Sequence, residues 1–280
     1  MIEFKKKPDK EEEILHILHP FVKNWFKQKF QNFAMSQRYA VMNIHSRENT
    51  LISSPTGSGK TLTAFLSILN ELIDASEKGI LKDKIYAVYI SPLRALSNDV
   101  YRNLTEPLKE IEFLAGKKLG LRVAVRTGDT STKERTAMLK NPPHILICTP
   151  ETLSILLVSP KFKNHLTNVD WLIIDELHAL ADNKRGVHMS LSTERLQRLS
   201  PAMCRVGLSA TIAPLEEIAQ FLVGNGRDCK IVDVQFIKDM KLDVITPVND
   251  LINTDFNTIN SKLYNLLDSE IKNHKTTLIF

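Results

Sequence analysis

The segment Ser53-Ser54-Pro55-Thr56-Gly57-Ser58-Gly59-Lys60-Thr61 combines the residue types needed to hold a polyphosphate. Gly57 and Gly59 let backbone N–H groups converge on phosphate oxygens. Lys60 can reach the β/γ-phosphates of a nucleoside triphosphate, and the Thr61 hydroxyl is placed to ligate Mg²⁺. The usual form of this loop opens with glycine where Ser54 stands, and a small residue there still permits the tight turn. Thr56, Gly57, Ser58, Gly59, Lys60 and Thr61 are the expected nucleotide-binding residues. The alternative is a glycine-rich turn ahead of an ordinary helix. A second constellation is Asp175-Glu176-Leu177-His178, which follows the nearly continuous apolar run Val169-Asp170-Trp171-Leu172-Ile173-Ile174. At the end of a buried strand, Asp175 can hold the Mg²⁺ shell while Glu176 orients and deprotonates an attacking water. Lys60, Asp175 and Glu176 are the catalytic candidates. Read alone, Asp175-Glu176 would be a solvated acidic turn.

Both groups need elements to position them. Asn49 to Ile52 is a short apolar stretch suited to a buried strand, and Leu62 to Ile73 carries apolar residues at helical spacing, so the loop sits between strand and helix. Further strand candidates are Ile85 to Ile90, Leu121 to Arg126, Ile145 to Cys148, Trp171 to Ile174, Arg205 to Leu208 and Lys230 to Val234, each separated by a helical or loop stretch. This alternation predicts a parallel, helix-flanked α/β sheet, in which ligands bind at the carboxyl ends of the strands. Ahead of it, Glu11 to Phe30 predicts an appended pair of helices interrupted at Pro20. A composition change near Lys238 to Asn260 predicts a linker, then a helix over Ile259 to Ile271, then a terminal apolar strand, Thr276 to Phe280.

The composition bounds the class. A chain of 280 residues with 43% hydrophobic and 25% charged side chains has ordinary globular usage and room for one large domain plus part of another. No apolar run approaches the ~20 residues of a membrane span, and the lysines of Lys5-Lys6-Lys7 precede no apolar signal-peptide core. Cys148, Cys204 and Cys229 are widely separated and fit reduced thiols in a cytoplasmic protein better than a disulfide framework or zinc site. The formal charge of +5 is compatible with a polyanionic partner.

With Ser209-Ala210-Thr211, the phosphate loop and Asp175-Glu176-Leu177-His178 stand in the order and approximate spacing of superfamily-two RNA and DNA helicases, which the chain resembles. Ser91-Pro92-Leu93-Arg94-Ala95-Leu96, Arg126-Thr127-Gly128-Asp129-Thr130 and Cys148-Thr149-Pro150-Glu151-Thr152-Leu153 look like that superfamily's nucleic-acid-contacting motifs. More narrowly, Asn183-Lys184-Arg185-Gly186-Val187-His188, Leu191-Ser192 with Glu194-Arg195-Leu196, and Val206 to Ala213 resemble the large helicase-related (Lhr) family of archaea and bacteria.

The resemblance implies RecA-like architecture: residues 1–35 as an N-terminal helical extension, 36–237 as the ATP-binding domain, and 238–280 as a linker and the beginning of a truncated second RecA-like domain. It implies ATP and Mg²⁺ as cofactors, and a single-stranded or tailed nucleic acid, DNA in preference to RNA, as partner. Gln37 looks like the glutamine that reads the adenine edge, although a lone glutamine there would otherwise be a solvent-facing helix residue. His178, Ser209 and Thr211 would couple nucleotide state to the strand. Pro92, Arg94, Thr127, Gly128, Thr149 and Pro150 would hold its phosphates and sugars; Thr149, before Pro150, also suits a helix N-cap. The implied function is that of an ATP-dependent 3′→5′ helicase, whose C-terminal motor and accessory domains lie outside this sequence together with the arginine fingers that contribute about 10³ to 10⁵ in turnover. The other readings are a nucleotide-gated strand-binding module without turnover, or a duplex translocase subunit.

Overall fold

Short runs of Val, Ile and Leu form the strands, and the helical stretches between them carry the chain back so that successive strands run parallel. The computed structural model describes residues 1–55, 57–234 and 243–279; Thr56, part of the expected linker from Lys238, and Phe280 lie outside the described residues. The chain divides into two units, Met1–Phe236 and Ile237–Phe280.

In the first unit the order is β1 (Ile2–Phe4), α1 (Glu11–Ile17), α2 (Pro20–Lys29), α3 (Met35–His45), β2 (Thr50–Ser53), α4 (Lys60–Glu77), β3 (Ala87–Ile90), α5 (Arg94–Ala115), β4 (Val123–Arg126), α6 (Thr132–Lys140), β5 (Ile145–Cys148) and α7 (Pro150–Val158). A short 3-10 helix (Lys163–Leu166) leads to β6 (Trp171–Ile174), α8 (His178–Ala181), α9 (Lys184–Leu199), β7 (Cys204–Ser209), α10 (Leu215–Val223) and β8 (Cys229–Asp233). The eight strands form one parallel sheet in the order β1-β8-β2-β7-β6-β3-β5-β4. This is the helix-flanked α/β sheet of a RecA-like domain. Successive side chains alternate between the two faces. Ile52, Tyr89 and Ile173 join a core with α2 to α5, and Leu51, Val88 and Leu172 join the opposite core with α7, α9 and α10.

Two expectations change. The amino terminus is more than a pair of helices, because Ile2–Phe4 forms a strand that pairs with β8, while Ile14, Val22 and Trp25 of α1 and α2 enter the core. The three-residue run Ile2-Glu3-Phe4 is too short to be distinguished in sequence from a polar tail. In the second unit α11 (Phe256–Asn273) covers the expected helix, capped by Asp255, whose side chain accepts from Thr258 N. Thr276 to Ile279 form no strand, since no neighbouring strand offers them a hydrogen-bond ladder among the described residues.

Two polar devices lock the half of the sheet around β7. Arg205, 1% exposed, donates from Nε to Gln197 Oε1 (2.9 Å), from Nη1 to the Leu222 and Val223 carbonyls (3.0 and 3.2 Å), and from Nη2 to Glu194 Oε1 (2.9 Å). One guanidinium therefore ties β7 to α9 and satisfies carbonyls at the end of α10. At the other end of α9, Asn183 Oδ1 caps the helix by accepting from Arg185 N and Gly186 N at 3.0 and 3.1 Å. Gly186 lets α9 approach α8 so closely that a Cβ there would lie 1.8 Å from the Leu180 carbonyl oxygen.

Gly186→Ala sets two effects against each other. Helix propensity favours alanine by about 1 kcal/mol, whereas overpacking against a backbone carbonyl costs about 1–3 kcal/mol or more. The backbone cannot swing away as a flexible side chain can, so the clash wins: thermal unfolding followed by circular dichroism should show a lower midpoint. A raised midpoint would mean that the α8–α9 approach is loose.

Candidate functional site

The loop between β2 and α4 has left-handed backbone at Gly57 (φ 77°) and Gly59 (φ 82°), which only glycine adopts without strain. Space opens beside Gly57, where an added Cβ would meet nothing within 4 Å. Gly59 stands at the N-cap of α4 without a side-chain cap, so the positive end of an 18-residue helix faces the loop. The Ser54 hydroxyl, at the place where glycine is usual, pairs with the Ser58 hydroxyl at 2.7 Å, and Ser36 Oγ donates to the Ser58 carbonyl at 2.8 Å. Lys60 is 9% exposed, and its Nζ donates to the Ser54 and Pro55 carbonyls at 2.5 and 3.0 Å. Burial pushes the Lys60 pKa below its ordinary value, with Glu176 and Asp175 pulling the other way.

Asp175 and Glu176 leave the end of β6 and face this loop across a cavity of about 470 Å³, lined also by Gly57, Gly59, Lys60 and Thr61. Asp175 is 8% exposed; its Oδ2 accepts from the Tyr89 hydroxyl at 2.5 Å and its Oδ1 from Glu176 N at 2.9 Å. Burial raises the Asp175 pKa, the Tyr89 bond lowers it, and the neighbouring Glu176 raises it again. Tyr89 stacks on Phe65, its ring centroid 5.2 Å away. Glu176 has φ 46°, an uncommon conformation for a residue with a Cβ, held by Asp175 N donating to the Ile90 carbonyl and Leu177 N to the Leu208 carbonyl.

The turn connects onward through His178. Ala210 N donates to His178 Nδ1 at 3.1 Å and the Ser209 hydroxyl lies 3.3 Å from the same nitrogen. A backbone N–H can only donate, so Nδ1 is the acceptor and Nε2 carries the ring proton, 3.4 Å from Glu176 Oε2. Of the expected coupling residues, Ser209 meets His178; Thr211 is exposed, and Ala210 supplies the bond to the turn through its backbone. Gln37 is buried beside the phosphate loop. Its Oε1 accepts from Ala34 N at 2.9 Å, capping α3, while its Nε2 lies 3.9 Å from the position of a Cβ on Gly59.

The expected nucleic-acid residues gather at the ends of β3, β5 and β4, continuing the rim that β2, β7 and β6 begin. Arg94 Nη1 bonds Asp129 Oδ1 at 2.9 Å, and its Nη2 is so near Gly128 that a Cβ there would sit 2.9 Å away. Thr127 N donates to Thr130 Oγ1 at 2.9 Å. Thr149 Oγ1 accepts from Thr152 N at 3.3 Å as the N-cap of α7, with Pro150 in the first turn. Arg185 joins two of these segments, donating from Nε to Glu151 Oε1 and from Nη2 to the Pro92 carbonyl, both at 2.7 Å.

Sequence reasoning missed Tyr89 altogether, and it gave Ala210 and Arg185 places in family motifs but no role of their own. Tyr89 carries the one side-chain hydroxyl of the run Ala87-Val88-Tyr89-Ile90, the only signal available for it. Ala210 acts through its backbone, which no residue type announces.

A profile of the DEAD/DEAH box helicases matches residues 34–220. The chain is 56% identical over 275 residues to the ATP-dependent helicase Lhr-Core of Methanothermobacter thermautotrophicus, covering 96% of this chain and 32% of that protein. The corresponding protein of Methanocaldococcus jannaschii is 56% identical over 284 residues, covering 100% and 33%. The solved structure of the Mycobacterium smegmatis helicase Lhr, bound to ssDNA and AMP-PNP, superimposes with a TM-score of 0.80 at 38% identity, covering 94% of this chain and 33% of that one. The chain thus spans about a third of the length of these relatives. With a glycine loop, a strand-end Asp-Glu pair and a histidine linking that pair to Ser209-Ala210, and with the profile covering residues 34–220, the chain belongs to the DEAD/DEAH box helicase family.

Proposed function

We propose that this chain is the ATP-binding motor lobe of a 3′→5′ helicase that acts on single-stranded or tailed DNA, in the cytoplasm. The observation that carries the proposal is the His178 ring, whose Nδ1 accepts from Ala210 N and lies 3.3 Å from the Ser209 hydroxyl while its Nε2 lies 3.4 Å from Glu176 Oε2 at the nucleotide cavity. DNA as the strand is supported by the ssDNA held in the M. smegmatis Lhr structure and by 35% identity over 176 residues to the ATP-dependent DNA helicase Hel308 of Pyrococcus abyssi. No described helix is long and apolar enough to cross a membrane, and all three cysteines are free and buried. Strand separation belongs to proteins about three times as long, and we assign to the remainder a second motor lobe and accessory domains.

The residues of the cavity fit a magnesium-bound triphosphate. Gly57 to Gly59 and the α4 amino terminus offer N–H donors, Lys60 one ammonium, Thr61 one hydroxyl and Asp175 one carboxylate. Among the described residues no three His, Cys, Asp or Glu side chains converge on one metal position, so Thr61 and Asp175 would share the ion with phosphate oxygens and water. Mg²⁺, when bound, supplies charge neutralisation at the β/γ oxygens. Lys60 binds those oxygens in place of its present carbonyl acceptors. Glu176 orients water and takes its proton, with His178 Nε2 standing 3.4 Å from its carboxylate. Gln37 flanks the loop with its Nε2 donor. Along the rim, Arg94 and Thr127 to Gly128 present a cation and short polar groups to a phosphodiester backbone, which positions a strand without reading its bases.

Lys60→Ala removes the ammonium and should weaken binding of a fluorescent ATP analogue in Mg²⁺ buffer by roughly ten- to a hundredfold, the range for a lost charge-assisted hydrogen bond of about 1.5–3 kcal/mol. Equal affinities would overturn the assignment of the loop. Glu176→Gln acts on water rather than on the nucleotide. In a protein carrying both lobes, ATP affinity should persist while hydrolysis falls by about 10² to 10⁴. Hydrolysis at the unaltered rate would remove Glu176 from the mechanism.

A further inference from the structure

Two helices on one face of the sheet each carry an apolar stripe besides the one they bury. α7 and α9 pack against each other and send Leu153, Leu156, Met189 and Leu196 into the core beneath them. On their outer sides, Ile155 and Val158 of α7 and Val187 and Leu191 of α9 are each 61–62% exposed. The i,i+3 and i,i+4 spacings set each pair on one side of its helix. Arg185, in the first turn of α9, donates to Glu151, in the first turn of α7, at 2.7 Å, so the two helices start together and both stripes face outward from one layer. Single apolar residues on a surface are ordinary, but four on adjoining helices mark a surface that something covers.

The charges beside these stripes have one sign. Lys184, Arg195 and Arg198 fall at helical spacings on the same side of α9 as Val187 and Leu191, and all three are exposed. The carboxylates of the two helices are already engaged, Glu151 by Arg185 and Glu194 by Arg205 and Arg227. Among the described residues none of the three cations has an ion-pair partner. This pattern narrows the occupant. A nucleic-acid backbone has nothing to offer four aliphatic side chains, and the proposed strand contacts Thr149 and Pro150 sit at the start of α7, whereas Val158 closes it. A second copy of this chain would set the cations of one face against those of the other, since a two-fold interface pairs a surface with itself. An apolar surface edged with carboxylates satisfies both the stripes and the cations.

The Lhr-Core relatives hold about two-thirds of their length outside the part that this chain matches. We propose that the outer side of α7 and α9 is the docking surface on which an accessory domain of the same polypeptide seats an apolar patch edged with Asp and Glu. The inference rests on the reading of this chain as one lobe of a longer helicase, and it adds the face of the lobe that carries the further domain. Within one polypeptide the tether supplies a local concentration on the order of millimolar, so a contact of four aliphatic side chains and three cations needs little affinity of its own to stay closed. Because α7 and α9 both begin at the rim, a domain seated there borders the path of the strand without occupying it.

The test compares thiol labelling in the 280-residue chain and in a protein extended to the length of the Lhr-Core relatives. Leu191→Cys places a reactive group on the face, while the three native cysteines of this chain are buried. Maleimide modification is followed by mass spectrometry on the peptide carrying residue 191, without nucleotide or strand, relative to Ile80→Cys, which is 61% exposed beyond α4. In the longer protein residue 191 should label about tenfold more slowly, the protection of a contact that opens only transiently. Arg195→Glu together with Arg198→Glu should restore the faster rate, because like charges then face the carboxylates. Equal rates in the two proteins, with strand-stimulated ATP hydrolysis by the longer one intact, overturn this inference alone; a longer protein that hydrolyses no ATP with a strand present overturns the motor reading beneath it. Protection that survives the two charge reversals overturns the acidic chemistry assigned to the occupant. Protection already seen in the 280-residue chain and rising with its concentration assigns the face to a second copy, and protection that appears only on adding an oligothymidylate assigns it to the strand; either result overturns the docking of an accessory domain.

Discussion

Two-sided burial of the central strands is the constraint on which the rest of the structure depends. β2, β3, β5, β6 and β7 are buried along their whole length, so their side chains are committed to packing above and below the sheet. Functional polar groups are therefore confined to the strand ends. Because all strands run the same way, every carboxyl end falls on one rim, and the connections leaving β1 to β7 each lead through a loop to a helix amino terminus. The phosphate loop, the Asp175 turn, Ser209 and the Arg94 segment are neighbours for this reason. Their separation of up to 156 residues in sequence, from Ser53 to Ser209, carries no cost once the sheet has formed.

The rim is also where the fold tolerates strain and unbalanced charge. Glu176 takes a left-handed backbone between two sheet-like hydrogen bonds, and Asp175 is buried beside it with its charge supported by one tyrosine hydroxyl and one backbone N–H. Lys60, almost fully buried, lends its ammonium to the carbonyls of its own loop. Each group is held in a state from which a polyanion would relieve it, since an anion offers the ammonium a stronger acceptor and a metal ion offers the carboxylate a countercharge. By contrast, the opposite side of β7 resolves its charge internally, through Arg205, Glu194 and Arg227. That cluster maintains the register of α9 and α10 and leaves nothing for a ligand.

Much of this was legible in the residues. Gly57, Gly59, Lys60 and Thr61 sit in a strand-loop-helix context that apolar spacing alone predicts, and the interior strands were found to within about two residues because parallel strands buried on both faces read as apolar runs. Elements without such a run were not legible. Ile2–Phe4 is a strand only because β8 presents an edge to it, whereas the described residues of the second unit, where Thr276 to Ile279 lie, include no strand. Ser54 looked like a departure from the usual loop; its hydroxyl pairing with Ser58 accounts for it.

The sequence by itself determined the chemistry available and the class of fold, because residue type sets which atoms can donate, accept or carry charge, and because periodicity of apolar residues depends only on local geometry. Tertiary structure alone decided the partnerships. That His178 accepts from Ala210 rather than from Thr211, that Tyr89 holds Asp175 and that Arg185 reaches the Pro92 carbonyl all follow from which strand lies next to which. Strand order is a property of the packed sheet: it is settled by the competition among all the strands for neighbours and by the helices that cover them, and no single segment carries it.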